Sequence, residues 1–308
     1  MINELAAGNR ADLPALLRLQ KIGNSNNGGV FARGILEDNG GQIAFICFEA
    51  AQVDKLRKIE GPTVFMVEGN VEINKFSPDM KLQIIVQKLD RPKPDDDLSD
   101  LLPRGDFNLE AYKTRLDNHI KSVRTTALRA LLAHIFSGQV YEKFITNPAG
   151  TRMHHAYLGG LLKHSVDVTD LAIAIASKIE DVDTDLVVTG ALLHDLGKIR
   201  EISQQIGFPY TDEGRLLGHI SLTSLMVMEA AAKLKIPFAQ LERLQHVLLA
   251  HHGDNEKGSP VACATREAFI VHYADEINAV MNQFEEREGK GQWEYNRMLQ
   301  RNLLVGKL

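Results

Sequence analysis

The apolar residues of this chain change period once, and that change divides it into two kinds of structure. Over residues 13–90, short β-branched and aromatic runs alternate with Gly, Asn and Asp, the pattern of strands separated by turns. Strands are predicted near Leu16–Ile22, Val30–Glu37, Gln42–Phe48, Val64–Ile73 and Leu82–Leu89, with turns at Asn24–Gly29 and Asp38–Gly41. Between the third and fourth, Val53, Leu56 and Ile59 recur at helical spacing, so a short helix is predicted over Ala50–Ile59.

Five strands with a helix after the third is the element order of an OB-fold barrel, a scaffold that commonly binds oligonucleotides. The stretch Arg91-Pro-Lys-Pro-Asp-Asp-Asp-Leu-Ser-Asp, with Pro103 soon after, has no apolar period and reads as a linker. From Phe107 the period is helical, with helices predicted near 108–121, 124–136, 138–145, 155–179, 184–200, 214–235, 238–252 and 262–285 and no strand. The expected architecture is multi-domain α+β: an N-terminal five-stranded OB-fold barrel over 1–90, a linker over 91–106 and an all-α domain over 107–308.

Composition limits what such a chain binds. Across 308 residues, 35 Lys plus Arg against 40 Asp plus Glu leave a net charge of −5. No global basic field exists to hold nucleic acid, so any polyanion must be caught locally. The two cysteines, Cys47 and Cys263, lie far apart, which excludes a disulfide scaffold and a thiolate zinc site. The first ten residues lack the basic-then-apolar pattern of a secretory leader, and no window approaches roughly 18 uninterrupted apolar residues. A cytoplasmic protein is expected.

Chemistry concentrates in the helical part, where most of the 11 histidines fall. In Gly190-Ala-Leu-Leu-His194-Asp195-Leu-Gly-Lys198, helical spacing puts Asp195 on the face of Val188, Ala191 and Leu192. A carboxylate buried there without a partner would cost several kcal/mol, so the site must supply a cation, an arginine or a proton. His164, His219, His251 with His252, and Asp275 lie likewise on the apolar faces of other predicted helices. A single core histidine is commonly a hydrogen-bonded imidazole. Five histidines and two aspartates facing inward from consecutive helices are ligands for divalent metal, and seven are too many for one ion, so two ions sharing a carboxylate are expected.

The order His164, His194-Asp195, His219, His251-His252, Asp275 resembles the HD superfamily of metal-dependent phosphohydrolases in its two-metal form. That resemblance implies a first ion on His164, His194, Asp195 and Asp275 and a second on His219, His251 and His252, with Asp195 bridging. His154-His155-Ala-Tyr-Leu-Gly-Gly-Leu-Leu-Lys-His164-Ser, Tyr210-Thr-Asp-Glu-Gly-Arg-Leu-Leu-Gly-His219-Ile and His251-His-Gly narrow it. With the barrel's Leu36-Glu-Asp38-Asn-Gly-Gly-Gln-Ile43, they are similar to the YhaM-type 3′→5′ exoribonucleases. That family implies single-stranded RNA as substrate, leaves single-stranded DNA and a homo-oligomer open, and implies nucleoside 5′-monophosphate products. It also implies two divalent ions, Mn2+ by preference, whereas the ligand types alone suit Co2+, Fe2+ or Zn2+ equally. Cyclic-dinucleotide phosphodiesterases of the superfamily carry Gly-Tyr-Pro after the paired histidines. Here Gly253-Asp-Asn-Glu-Lys-Gly-Ser-Pro follows instead.

Other residues have more than one reading. Lys198, a turn beyond His194, fits either a solvated helix end or a contact to the reacting phosphate, and the family resemblance implies the latter, making Asp195 and Lys198 the expected catalytic pair. Arg152, His154 and His155 form a cluster suited to gripping phosphate or protonating a leaving oxygen. Tyr210, Arg215 and Lys257 fit a cleft wall or an ordinary surface. His119, His134, His246 and His272 stand outside the constellation. In the barrel, Arg18, Lys21 and Arg33 are expected phosphate contacts and Phe48, where the family leads one to expect tryptophan, a stacking face. Phe31, Phe45, Phe65 and Phe76 are further candidates, most of them facing inward by alternation. Residues 1–90 hold 10 Lys plus Arg against 11 Asp plus Glu, a net −1, so their affinity for nucleic acid should be modest and salt-sensitive. The alternative reading is a phosphohydrolase of free or signalling nucleotides, with the barrel as a regulatory or assembly module.

Overall fold

The computed structural model describes all residues except 25–27, 75–79, 94–95, 152–154, 286–290, 297–298 and 306–308. The chain divides into two compact units, Met1–Pro103 and Arg104–Leu308. No helix among the described residues is long and apolar enough to cross a membrane.

The first unit is a closed barrel of β1 (Arg10–Asn24), β2 (Val30–Asp38), β3 (Gly41–Cys47), β4 (Thr63–Ile73) and β5 (Leu82–Asp90), in the spatial order β1-β2-β3-β5-β4. The pairings are antiparallel except β3 with β5, which run parallel. Parallel neighbours need a crossover, and its first part is α1 (Ala50–Leu56), which buries Val53 and Leu56 against the barrel core. Alternation delivers that core: Ala32 and Leu36, Ile43, Phe45 and Cys47, Phe65, Val67 and Val71, and Ile84 and Val86 are all buried. The five strands and the helix stand where the period places them. β1 starts earlier than its predicted Leu16, because Arg10–Leu17 pairs with β4 before Leu16–Asn24 pairs with β2. Asp12 and Pro14 break the apolar pattern and hide that half of the strand.

The barrel unit also continues past 90, into the stretch predicted as linker. Residues Ser99–Leu101 form a 3₁₀ turn, Asn39 donates its N–H to the carbonyl of Asp100 (2.9 Å), and Leu102 is buried. The hydrogen bond from Asn39 ties this segment to the turn between β2 and β3 despite its polar composition.

The second unit consists of α2 (Leu109–Ser122), α3 (Thr126–Ile135), α4 (Gly138–Thr146), α5 (Gly160–Ala176), α6 (Thr184–Leu193), α7 (Lys198–Glu201), α8 (Asp212–Lys233), α9 (Glu242–Ala250) and α10 (Arg266–Glu285). One apolar core joins them, with Leu161, Val168 and Ala172 of α5, Val188 and Leu192 of α6, Leu244 and Val247 of α9 and Ala268 and Val271 of α10 among its members. The unit is not all-α: β6 (Gln292–Asn296) and β7 (Arg301–Val305) form an antiparallel hairpin. Its strands are short and only β7 buries an alternating apolar pair, Leu303 and Val305, too little pattern to stand out after a long helix.

Two predicted helices differ at the site. The one expected to start at 155 starts at Gly160, after Gly159 with φ of +81°. The one expected over 184–200 ends at Leu193, and His194–Gly197 form a turn before α7. A Cβ at Gly197 would lie 2.2 Å from the carbonyl oxygen of His219, so only glycine lets this turn approach α8. Its N–H donates to Thr223 Oγ1 at 2.8 Å, which fixes the turn there.

Candidate active site

Five elements deliver one polar cluster. His164 projects from α5, His194 and Asp195 from the turn after α6, His219 from α8, His251 and His252 from just beyond the C-terminus of α9, and Asp275 from α10. α8 is broken at Gly218, whose φ of 69° and ψ of 154° are not helical. The break releases the His219 N–H from the helical ladder, and it donates instead to Glu201 Oε1 at 3.0 Å.

Asp195 stands at the centre. Its Oδ2 lies 3.3 Å from Nε2 of both His164 and His194, while its Oδ1 faces Nε2 of His219 at 3.4 Å and of His251 at 3.8 Å. Asp275 Oδ1 is 3.2 Å from His164 Nε2. Candidate donor atoms of His164, His194 and Asp195 lie mutually within 4.8 Å, as do those of His219, His251 and His252. The carboxylate thus turns one oxygen toward each group.

The outward nitrogens decide the tautomers. Nδ1 of His194 donates to the carbonyl of Ala191 (2.8 Å), that of His251 to Leu248 (2.7 Å) and that of His252 to Lys257 (3.2 Å). Nδ1 of His219 pairs with Glu201 Oε1 at 3.1 Å and that of His164 with Asn278 Oδ1 at 2.9 Å. With Nδ1 committed as donor, each neutral ring presents a lone pair at Nε2, the tautomer a metal takes. Nε2 of His219 and of His251 are buried without a hydrogen-bond partner among the described residues, and Nε2 of His164 and His194 face each other at 3.1 Å. Such an arrangement asks for a cation, and the imidazole and carboxylate donors fit a divalent transition metal.

Protein groups alone meet that demand with protons. Lys198 Nζ sits 2.6 Å from Asp195 Oδ2. Burial opposes ionisation of Asp195, yet the Lys198 ammonium and the imidazoles hold its carboxyl well below the usual range. Burial likewise disfavours the imidazolium of His164, but Asp195 and Asp275 push its pKa up to about 9. Burial, with His194 beside it, drives His251 well below the ordinary histidine value, which keeps it neutral.

A cleft of about 370 Å³ opens onto the cluster, with Gly150, Thr151, His155, Lys198, Tyr210 and His252 in its walls. His155, expected to hold substrate, is buried with both ring nitrogens engaged: Nδ1 lies 2.7 Å from Tyr157 Oη and Nε2 3.2 Å from Asn278 Oδ1. It braces Asn278, and through it His164. Arg152 and His154 lie outside the described residues. Tyr210 lines the cleft while remaining half exposed. Lys257 is on the surface in an ion pair with Glu276 at 2.9 Å, and Arg215 is exposed.

Two supporting residues escaped the sequence reading. Asn278 lies three residues past Asp275 on α10, a spacing that could have revealed it. Glu201 carries no motif or spacing signal in the sequence; its burial and its contact at 3.1 Å show it holding His219. Despite burial, which favours the neutral acid, His219 keeps its carboxyl below the usual range. His272 is no ligand, yet its Nδ1 donates to the carbonyl of His251 (2.9 Å) and so steadies a candidate ligand's backbone. His119 sits 2.9 Å from Asp170, and His246 accepts the Ala264 N–H at 3.0 Å.

In the barrel, Arg18 is engaged by Glu37 at 3.0 Å, whereas Lys21 and Arg33 are directly opposite on β1 and β2, both exposed and without an ion-pair partner among the described residues. Phe48 is 52% exposed, while Phe45 and Phe65 are buried and Phe76 lies outside the described residues.

A family model for the HD domain matches residues 161–280. Among solved structures, the chain is similar to a replication protein A heterotrimer bound to single-stranded DNA, at 19% identity and TM-score 0.28, covering 36% of this chain and 29% of that one. It is similar to the HD domain of the L. monocytogenes phosphodiesterase PgpH at 20% identity and TM-score 0.31, covering 47% and 74%. Asparaginyl-tRNA synthetase from Pyrococcus horikoshii, complexed with asparaginyl-adenylate, matches at 12% identity and TM-score 0.23, covering 78% and 60%. The cluster of His164, His194, Asp195, His219, His251, His252 and Asp275 therefore lies in a helical unit that carries an HD domain, the module of a superfamily of metal-dependent phosphohydrolases.

Proposed function

We propose that the protein is a metal-dependent 3′→5′ exoribonuclease, releasing nucleoside 5′-monophosphates from single-stranded RNA and accepting single-stranded DNA as a second substrate. The observation that carries this reading is the division of Asp195, one oxygen toward each group of histidines, at the floor of a cleft that also holds Lys198. When bound, two divalent ions, Mn2+ by preference, supply an activated water and positive charge at the phosphate. His164, His194 and Asp275 on one side, and His219, His251 and His252 on the other, are the residues that would hold them. Lys198 exchanges its partner from Asp195 to a phosphate oxygen, where its ammonium offsets charge developing in the transition state. Phosphorus is attacked in line with the departing 3′ oxygen.

The barrel supports nucleic acid as the substrate. Like charges directly opposite on adjacent strands are destabilising, so Lys21 and Arg33, without an ion-pair partner among the described residues, suit a phosphate backbone. Phe48 offers an exposed ring beyond the end of β3. A 5′-labelled single-stranded RNA incubated with Mn2+ should shorten stepwise from its 3′ end, with mononucleotide release, slowing at stems and stopping with chelator. Equal activity on closed circular RNA would refute the exonuclease reading. Turnover of free nucleotides with none on RNA would replace it with a nucleotide hydrolase.

A further inference from the structure

The geometry points to a nucleobase subsite at the mouth of the cleft, with the ring of Tyr210 as the face on which the 3′-terminal base stacks. This deepens the exonuclease reading and rests on it. Tyr210 lines the same cleft as Lys198, Asp195 and His252, yet 46% of its surface is exposed. Among the described residues, the remaining apolar lining of the cleft, Ala149, Gly150 and Ala279, is small.

The backbone that carries this ring is held on both sides. Tyr210 bridges to Ile202, directly after α7. Ser203 N–H donates to Pro209 O at 2.9 Å and Thr211 N–H to Glu201 O at 2.9 Å, while Thr211 Oγ1 donates to Arg200 O at 2.7 Å. On the near side, Phe208 is 2% exposed and anchors the segment at φ of +45°. Hydrogen bonds on both sides of Tyr210 therefore tie it to the segment that presents Lys198 and Glu201. An exposed aromatic that shares the cleft with the lysine that meets the reacting phosphate is placed to hold the base of the nucleotide carrying that phosphate. Every base has a π-face, so this subsite tolerates all four.

The test compares two single-stranded RNAs that differ only in whether the 3′-terminal nucleotide carries a base. On the normal RNA, Tyr210→Ala should raise KM about tenfold, within what one stacked base contributes, and Tyr210→Phe should stay near wild type. For wild type, removing the terminal base should cost a similar factor. The two losses should not multiply when Tyr210→Ala meets the abasic RNA, since both remove one contact. Metal content of Tyr210→Ala should equal wild type, which separates this role from a folding defect. RNA degradation in which the losses multiply, or in which neither change matters, would overturn the subsite and leave the exonuclease reading standing. A wild-type protein that degrades neither RNA would overturn both.

Discussion

The Lys198 ammonium lies 2.6 Å from Oδ2 of Asp195, the carboxylate that also faces four imidazoles. A lysine in that position competes with a metal ion for the same oxygen, although in the proposed mechanism it also serves the phosphate. Lys198→Met should therefore bind Mn2+ at least as tightly as wild type while hydrolysing RNA about 100-fold more slowly, as for loss of one electrostatic stabiliser. Metal titration with single-turnover kinetics on the same samples checks this, and a variant that loses metal would show that Lys198 supports the cluster instead.

Glu201 fixes His219 twice, through the backbone N–H at 3.0 Å and Nδ1 at 3.1 Å. Partners of this kind typically govern 10–100-fold in metal affinity. Glu201→Gln should weaken binding of the ion on the His219, His251 and His252 side by about tenfold without changing the other, and excess Mn2+ should restore turnover. Calorimetric titration resolves the two steps, and unchanged affinity for both ions would exclude this role.

In the barrel, Lys21→Ala and Arg33→Ala should raise KM on long single strands and leave hydrolysis of a small phosphodiester unchanged. Each lost phosphate contact should reduce the slope of log affinity against log salt by about 0.7. Equal KM and equal salt response across wild type and both variants would favour a regulatory or assembly role for the barrel.

Period and residue type made much of this molecule legible. The barrel strands and the seven inward His and Asp residues follow from spacing, because burial imposes a repeat that survives in any sequence. What spacing could not show depends on single tertiary contacts. The segment through Leu102 is tied to the barrel by the Asn39 hydrogen bond. His155 looked like a phosphate ligand until Tyr157 and Asn278 were seen to occupy its nitrogens. Gly197 and Gly218 lie inside the helices predicted over 184–200 and 214–235, yet Gly218 frees the His219 N–H and Gly197 lets the His194–Asp195 turn meet α8.

The central claim is a two-ion site joined by Asp195, and metal content measured on purified variants tests it most directly. Wild type loaded with Mn2+ and freed of excess should hold about two ions per chain, His252→Ala about one, and Asp195→Ala fewer than one, with the fold retained in each by circular dichroism. Hydrolysis of RNA should be abolished in Asp195→Ala. One ion per chain in wild type and His252→Ala alike, or near wild-type activity in Asp195→Ala, would contradict the account.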